Sequence, residues 1–273
     1  MSSRADNTVG GLLRRNFVAV ANHAKSYLSN LAWKANAKLA STLGRMRGYA
    51  TAESDSFGHR PIRLGRIPER TLAALQSLIL NAPVADFDVA DHARGYLFDP
   101  DDRTINNIFK GGYRFRRLDA PQLRGIADAL RELAPDITSH LGSGWRIINL
   151  KSWSTRADTV KAGPNAWHVD GFPAGTFKLM IYLTPIGASV GTTEVRFDDG
   201  ASQILEGEAG TYLLFDPSVL WHRGIAPTQP GIERTHIEIT LMRAPSIDLR
   251  LADGGLNSAY PRLPWTRRPL RAA

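Results

Sequence analysis

The sequence predicts a mainly β protein with flanking helices, its core an antiparallel sandwich or barrel over residues 145–245. Three observations carry this. From Trp145 onward, eight short runs rich in β-branched and aromatic residues follow one another, at 145–154, 165–170, 177–184, 192–197, 203–206, 211–215, 219–223 and 234–243. Turn residues separate them, at Gly163-Pro164, Pro185 to Gly187, Asp198-Asp199-Gly200, Gly207 to Gly210 and Pro227 to Gly231, with no helical period between. The helical signals lie ahead of this region, so the organisation reads as 1–50, a basic amphipathic helical extension; 51–144, a helical and mixed supporting segment; 145–245, the β core; and 246–273, a basic C-terminal arm.

Residues 8–47 read as helix because Leu13, Phe17, Val20, Ala24, Tyr27, Leu31 and Ala35 recur at spacings of three and four. Two placements are open: packing on the domain or on a second copy in a homodimer, or lying on an anionic membrane surface with the basic face toward the headgroups. A transit peptide is a third, since the stretch is poor in acids. Residues 51–66 read as a linker with turn residues, and Ile67 to Leu80 as a short helix with Pro68 and Glu69 at its start. The alternation Tyr113-Arg114-Phe115-Arg116-Arg117 reads as a half-exposed strand rather than a nucleic-acid contact. A second helix starts near Pro121, with Leu123, Ile126, Ala127, Leu130 and Leu133 on one face; Pro135 is expected to end or kink it, leaving residues 136–140 as a separate turn.

Composition narrows the chemistry. The chain of 273 residues is long enough to bury a sizeable core. It has no cysteine, which excludes disulfides, thiolate nucleophiles and Cys-held zinc or iron–sulfur centres, so any metal must be held by His, Asp or Glu. No apolar run is long enough to span a bilayer and no secretory core is evident, which points to a cytoplasmic protein, membrane-associated if residues 1–50 bind lipid. The formal charge of +8 is local: residues 1–50 hold eight bases against one acid, and residues 254–273 four arginines and no acid.

The site begins with Trp167-His168-Val169-Asp170-Gly171. In an extended segment, residues two apart point to one side, so His168 and Asp170 can reach a common point. Of the seven histidines, only His168, His222 and His236 fall in the β-rich region; His222 follows Asp170 by 52 positions. Two imidazoles and one carboxylate suit Fe(II) and leave coordination positions open, whereas a closed zinc site wants a fourth protein ligand. His236 lies two positions after Arg234 and is the weaker candidate. Arg234 follows His222 by twelve residues inside a core strand, where a guanidinium needs a partner such as a carboxylate.

The pattern His168-x-Asp170, His222, Arg234 resembles the Fe(II)/2-oxoglutarate-dependent dioxygenase superfamily over roughly residues 145–245. Lys178 to Pro185 with Gly191-Thr192-Thr193-Glu194, and Gly210 to Asp216, are similar to the strands that flank the ligands there. The resemblance implies a double-stranded β-helix of the jelly-roll class, with His168, Asp170 and His222 as iron ligands and catalytic centre. It further implies Arg234 as the binder of the distal carboxylate of 2-oxoglutarate, with Lys178 and Thr193 as further cofactor-binding residues and His236 in place of a small hydroxyl residue. Fe(II), 2-oxoglutarate and O2 are the implied cofactors, and hydroxylation of an unactivated C–H bond with release of succinate and CO2 the implied reaction. Halogenating members lack the acid, which Asp170 supplies here. The second arginine of the nucleic-acid demethylase branch is absent, Thr240 standing in its place, so a small-molecule and anionic substrate is expected rather than nucleic acid. Lys151, Trp153, Arg156, Lys161 and Trp167 flank the ligands and are the candidate substrate residues. The competing readings are a cupin-type metalloprotein and a non-catalytic binding protein on the same fold.

Overall fold

The computed structural model describes residues 31–49, 62–83, 114–159, 163–170, 172 and 175–249. Within them the chain forms a helix over 31–46 (α1), then β1 (Ile62–Arg66), α2 (Glu69–Ile79), β2 (Arg114–Phe115), α3 (Ala120–Leu141), β3 (Gly144–Arg156), β4 (Thr176–Tyr182), β5 (Thr192–Arg196), β6 (Ser202–Ile204), β7 (Thr211–Phe215), β8 (Trp221–Ile225) and β9 (Glu233–Ala244). All strand pairs are antiparallel. A six-stranded sheet has the order β1-β7-β4-β9-β3-β2 and a three-stranded sheet the order β6-β5-β8. A reciprocal bridge between His168 and His222 adds the 168 segment to the small sheet beyond β8. From β3 onward the chain therefore crosses repeatedly between the two sheets.

The large sheet is buried on both faces. On one, Phe177, Leu179, Ile181, Leu214, Ile237, Ile239 and Leu241 pack against Leu72, Leu75 and Ile79 of α2 and Ile126, Leu130, Leu133 and Ile137 of α3. On the other, the alternate residues Met180, Tyr182, Leu213 and Phe215 meet Val195, Leu205 and Leu220 from the small sheet and its loops. This is why β4 is buried at all seven positions, Lys178 among them. The two sheets are thus the walls of one sandwich, with the helices as an outer layer on the larger wall.

Three expectations need correction. Residues 62–66, read as the end of a linker, are β1, which pairs with β7 through all five positions. Helix α3 does not stop at Pro135 but continues to Leu141, closed by Gly142 in a left-handed conformation (φ 59°). Ile137, Thr138, His140 and Leu141 are all buried, and the Trp145 indole N–H donates to Thr138 Oγ1 at 3.2 Å, so packing of the last turns outweighs the backbone bond that proline removes. In α1 the buried face is not the stripe that ends in Leu31 and Ala35: both are exposed, while Trp33, Ala40 and Gly44 face inward. Residues 1–30, the rest of 51–61, the turns at 99–102 and 111–112, and the arm beyond 249 lie outside the described residues. No helix among the described residues is long and apolar enough to cross a membrane.

Candidate metal centre

The two histidines are brought together by the backbone. His168 N–H donates to His222 O at 3.1 Å and His222 N–H to His168 O at 2.9 Å, an antiparallel pair whose rings lie 4.3 Å apart, centre to centre. Asp170 N–H donates to Pro217 O at 2.7 Å and turns its carboxylate to the same side. Each imidazole has its Nδ1 2.8 Å from the carbonyl two residues back, Ala166 for His168 and Leu220 for His222. A carbonyl only accepts, so Nδ1 carries the proton on both rings and each Nε2 presents its lone pair. His168 Nε2 lies 3.5 Å from Asp170 Oδ1, and His222 Nε2 3.9 Å from Asp170 Oδ2. The three donors lie within 4.8 Å of one another, the one such group of His, Asp or Glu among the described residues.

The protonation states suit a cation. Burial, and then the neighbouring Lys178 ammonium, push His222 down to about 3, so the imidazole is neutral near neutral pH. Burial alone would raise Asp170, but the Lys178 ammonium, by charge and hydrogen bond, outweighs it and holds the carboxyl at about 2, ionised. His222 Nε2 is buried without a hydrogen-bond partner. A buried lone pair left unmatched is costly, and a metal ion at this point would satisfy it. Two imidazoles and one carboxylate, without sulfur, form the donor set that Fe(II) takes with open positions remaining. The residues fit the metal that the sequence pattern implies.

From this point a pocket runs along the inner face of the large sheet. Its wall follows from period-two geometry: β9 presents Arg234, His236 and Glu238, paired across the sheet with Thr155, Trp153 and Lys151 of β3. Arg234 is 3 % exposed and donates from Nη1 to Thr192 O at 2.5 Å. Thr193 lines the same pocket and accepts a 2.7 Å hydrogen bond from the Tyr182 hydroxyl. Lys178 Nζ stands 2.5 Å from Asp170 Oδ2 and 3.7 Å from Glu238 Oε1, and Lys151 Nζ lies 3.0 Å from that same Glu238 oxygen. His236 is fully buried between Trp153 and Tyr182, its ring nitrogens without hydrogen-bond partners. Burial, then Arg234, push its pKa well below the ordinary value, so this ring too is neutral.

The structure brings His168, Asp170, His222, Lys178, Thr193, Arg234 and Trp153 to one pocket. Lys151 is half-buried and held in an ion pair with Glu238, its ammonium 4.4 Å from the Trp153 ring centre. Arg156, half-exposed at the end of β3, shares Glu233 with Arg116. Trp167 lies under the guanidinium groups of Arg196 and Arg223, which alternate along the small sheet with the inward Val195 and His222; Arg223 also borders the pocket. Lys161 lies outside the described residues. Glu238 and Tyr182 escaped the sequence reading, though Arg234, His236 and Glu238 at alternate positions of one strand were a readable sign of a polar inner wall.

No family model matches the chain, and no curated protein does. Among solved structures, the chain is similar to the non-heme alpha ketoglutarate dependent epimerase SnoN from nogalamycin biosynthesis, with 14% identity over 77% of this chain and 92% of that one and a TM-score of 0.49. It is similar to HygX from Streptomyces hygroscopicus with nickel and 2-oxoglutarate bound, at 12% identity, 76% and 93% coverage and a TM-score of 0.46. It is also similar to EctD from S. alaskensis with 2-oxoglutarate and 5-hydroxyectoine, at 17% identity, 81% and 89% coverage and a TM-score of 0.47.

Proposed function

We propose that the protein is a non-haem Fe(II)- and 2-oxoglutarate-dependent oxygenase on a jelly-roll core, hydroxylating an unactivated C–H bond of a small or anionic substrate with release of succinate and CO2. The observation that carries this reading is the convergence of His168, Asp170 and His222 at the head of a pocket whose wall ends in the buried cation Arg234. Iron held by the three donors supplies the activation of O2 when 2-oxoglutarate is bound. The protein's share is positioning and electrostatics. The Ala166 and Leu220 carbonyls hold both ligand rings in the tautomer that offers Nε2. Arg234, buried and bound to Thr192 O, offers its guanidinium edge to the far carboxylate of a dicarboxylic co-substrate. Thr193 and Tyr182 complete that wall, and Lys178 balances the Asp170 charge.

The test is anaerobic loading with Fe(II), addition of 2-oxoglutarate and O2 in the presence of a panel of candidate substrates, and measurement of succinate. Wild-type protein is expected to form succinate. H168A and D170A are expected to lose that activity by about a thousandfold or more, as when a group acting as part of a unit is removed, while their circular-dichroism spectra stay native. Succinate formation that survives in both variants overturns the ligand assignment. A wild-type protein that binds Fe(II) yet never forms succinate overturns the oxygenase.

A further inference from the structure

We propose that Trp167, held beneath Arg196 and Arg223, is a positioning residue for the metal ligands, setting the spacing of His168 and His222 from the opposite side of the small sheet. The inference rests on the metal centre proposed above.

The geometry is a matter of parity. In the small sheet Val195 pairs with His222, and Val195 packs into the inner core beside Phe215, whose ring lies 4.9 Å from that of His222. The alternate pair, Glu194 with Arg223, and Arg196 beyond it, therefore face outward. Trp167 immediately precedes His168, and its ring centre lies 4.1 Å from the Arg196 guanidinium carbon and 4.7 Å from that of Arg223. Arg223 in turn donates from Nε to Glu194 Oε2 at 2.7 Å, with Nη2 at 2.6 Å from the same oxygen, and Glu194 is 6 % exposed. One cluster thus joins three neighbouring stretches: the residue before one ligand, the residue after the other, and β5 behind both.

This is needed because the His168 segment meets β8 through a single bridge, the two hydrogen bonds between His168 and His222. One reciprocal pair sets the distance between two backbones and the Asp170 N–H to Pro217 O bond holds the chain beyond it, but neither fixes the rotation of the stretch that precedes His168. Such a rotation would carry His168 Nε2 away from the point it shares with Asp170 and His222. A tryptophan ring gripped through cation–π contacts from two arginines on different strands removes that freedom. Groups that orient metal ligands in this way typically carry about 10–100-fold of the metal affinity when they are removed.

The experiment measures Co(II) affinity by competitive titration and records the visible spectrum of the Co(II) complex, for wild type, W167L, W167F and R196Q, with the melting temperature of each metal-free protein. Trp167 and Arg196 are at least partly exposed, so the metal-free melting temperatures are expected to stay close to wild type. W167L is expected to weaken Co(II) binding by about tenfold or more and to shift the spectrum, R196Q to weaken it less, and W167F to recover most of the affinity. If W167L and R196Q bind Co(II) as tightly as wild type, the positioning role is overturned. A fall in melting temperature with unchanged metal affinity would give Trp167 a purely structural role and overturn it equally. If wild type itself binds no Co(II), or H168A binds it as well as wild type, the metal centre fails and the inference with it. If Co(II) behaves as expected but no succinate forms with Fe(II), the proposed reaction fails and the positioning role stands.

Discussion

His140 stands apart from the metal centre and sets how the fold answers to acid. It sits in the last turn of α3, 6 % exposed, where a helix C-terminus would favour its protonated form. Burial, and then the Arg63 guanidinium, oppose that and push its pKa down to about 4; the Asp136 carboxylate only partly offsets them. A histidine lowered from an unfolded value of about 6.5 binds its proton more readily in the unfolded chain. Its contribution to stability is complete above about pH 6.5 and is lost as the pH falls toward 4, on the order of 2 kcal/mol after allowing for partial solvent screening. Asp136, held low despite burial by the Tyr212 hydroxyl and Arg63, extends the same trend to lower pH, since its stabilisation is lost only as the pH drops through its own depressed pKa. Urea midpoints measured from pH 7 to pH 4 are expected to fall for wild type and to fall less steeply for H140Q, the buried neutral His222 and His236 supplying the slope that remains. Equal slopes would show that another group carries the acid sensitivity.

At the scale of elements, α3 shows local preference losing to packing. Pro135 is exposed in the interior of a helix of 22 residues, removes one backbone hydrogen bond there, and is overruled by the four buried residues that follow it. Because it is exposed, P135A restores that bond without opening a cavity. It is expected to raise stability by about 1–3 kcal/mol, read as a higher urea midpoint; a lower midpoint would mean that the proline geometry itself is used. The same competition explains what could be read from the chain. His168 and Asp170 were legible as a pair because period-two spacing is local; His222 and Arg234, far along the chain, were legible as a histidine and an arginine within predicted strands and through the family pattern. Seven of the eight core runs correspond to strands of the sandwich within two residues at either end. The run at 165–170 instead contributes one bridge, and that at 219–223 lies two residues early relative to β8. β1 was not legible because Ile62-Arg63-Leu64-Gly65-Arg66 has only two apolar residues in five and becomes a strand only beside β7. The Lys151–Glu238–Lys178 chain was hidden because it links β3, β9 and β4, far apart in sequence.

The whole molecule includes α1, and this bears on the basic N-terminal region. Trp33 is 1 % exposed and packs with Ile148 and Met242. Asn36 donates to Arg243 O at 3.0 Å, and Arg243 to Ser41 Oγ at 2.5 Å. A Cβ on Gly44 would lie 2.3 Å from Gly142 O, so this glycine allows the helix to touch the end of α3. The buried side of residues 31–46 is therefore committed to the domain, while Lys34, Lys38 and Arg45 remain outside. Two substitutions test whether α1 belongs to the cooperative unit. W33A is expected to cost about 3–5 kcal/mol, as for a large aromatic removed from a core. G44A reverses the usual sign: glycine to alanine in a helix interior ordinarily gains up to about 1 kcal/mol, but the clash with Gly142 is expected to make it a loss of about 1–3 kcal/mol. Each should move one unfolding transition seen alike by tryptophan fluorescence and by circular dichroism. If either substitution leaves the midpoint in place, or splits off an early helical phase, α1 is an accessory to the sandwich and its inner face is free for another partner.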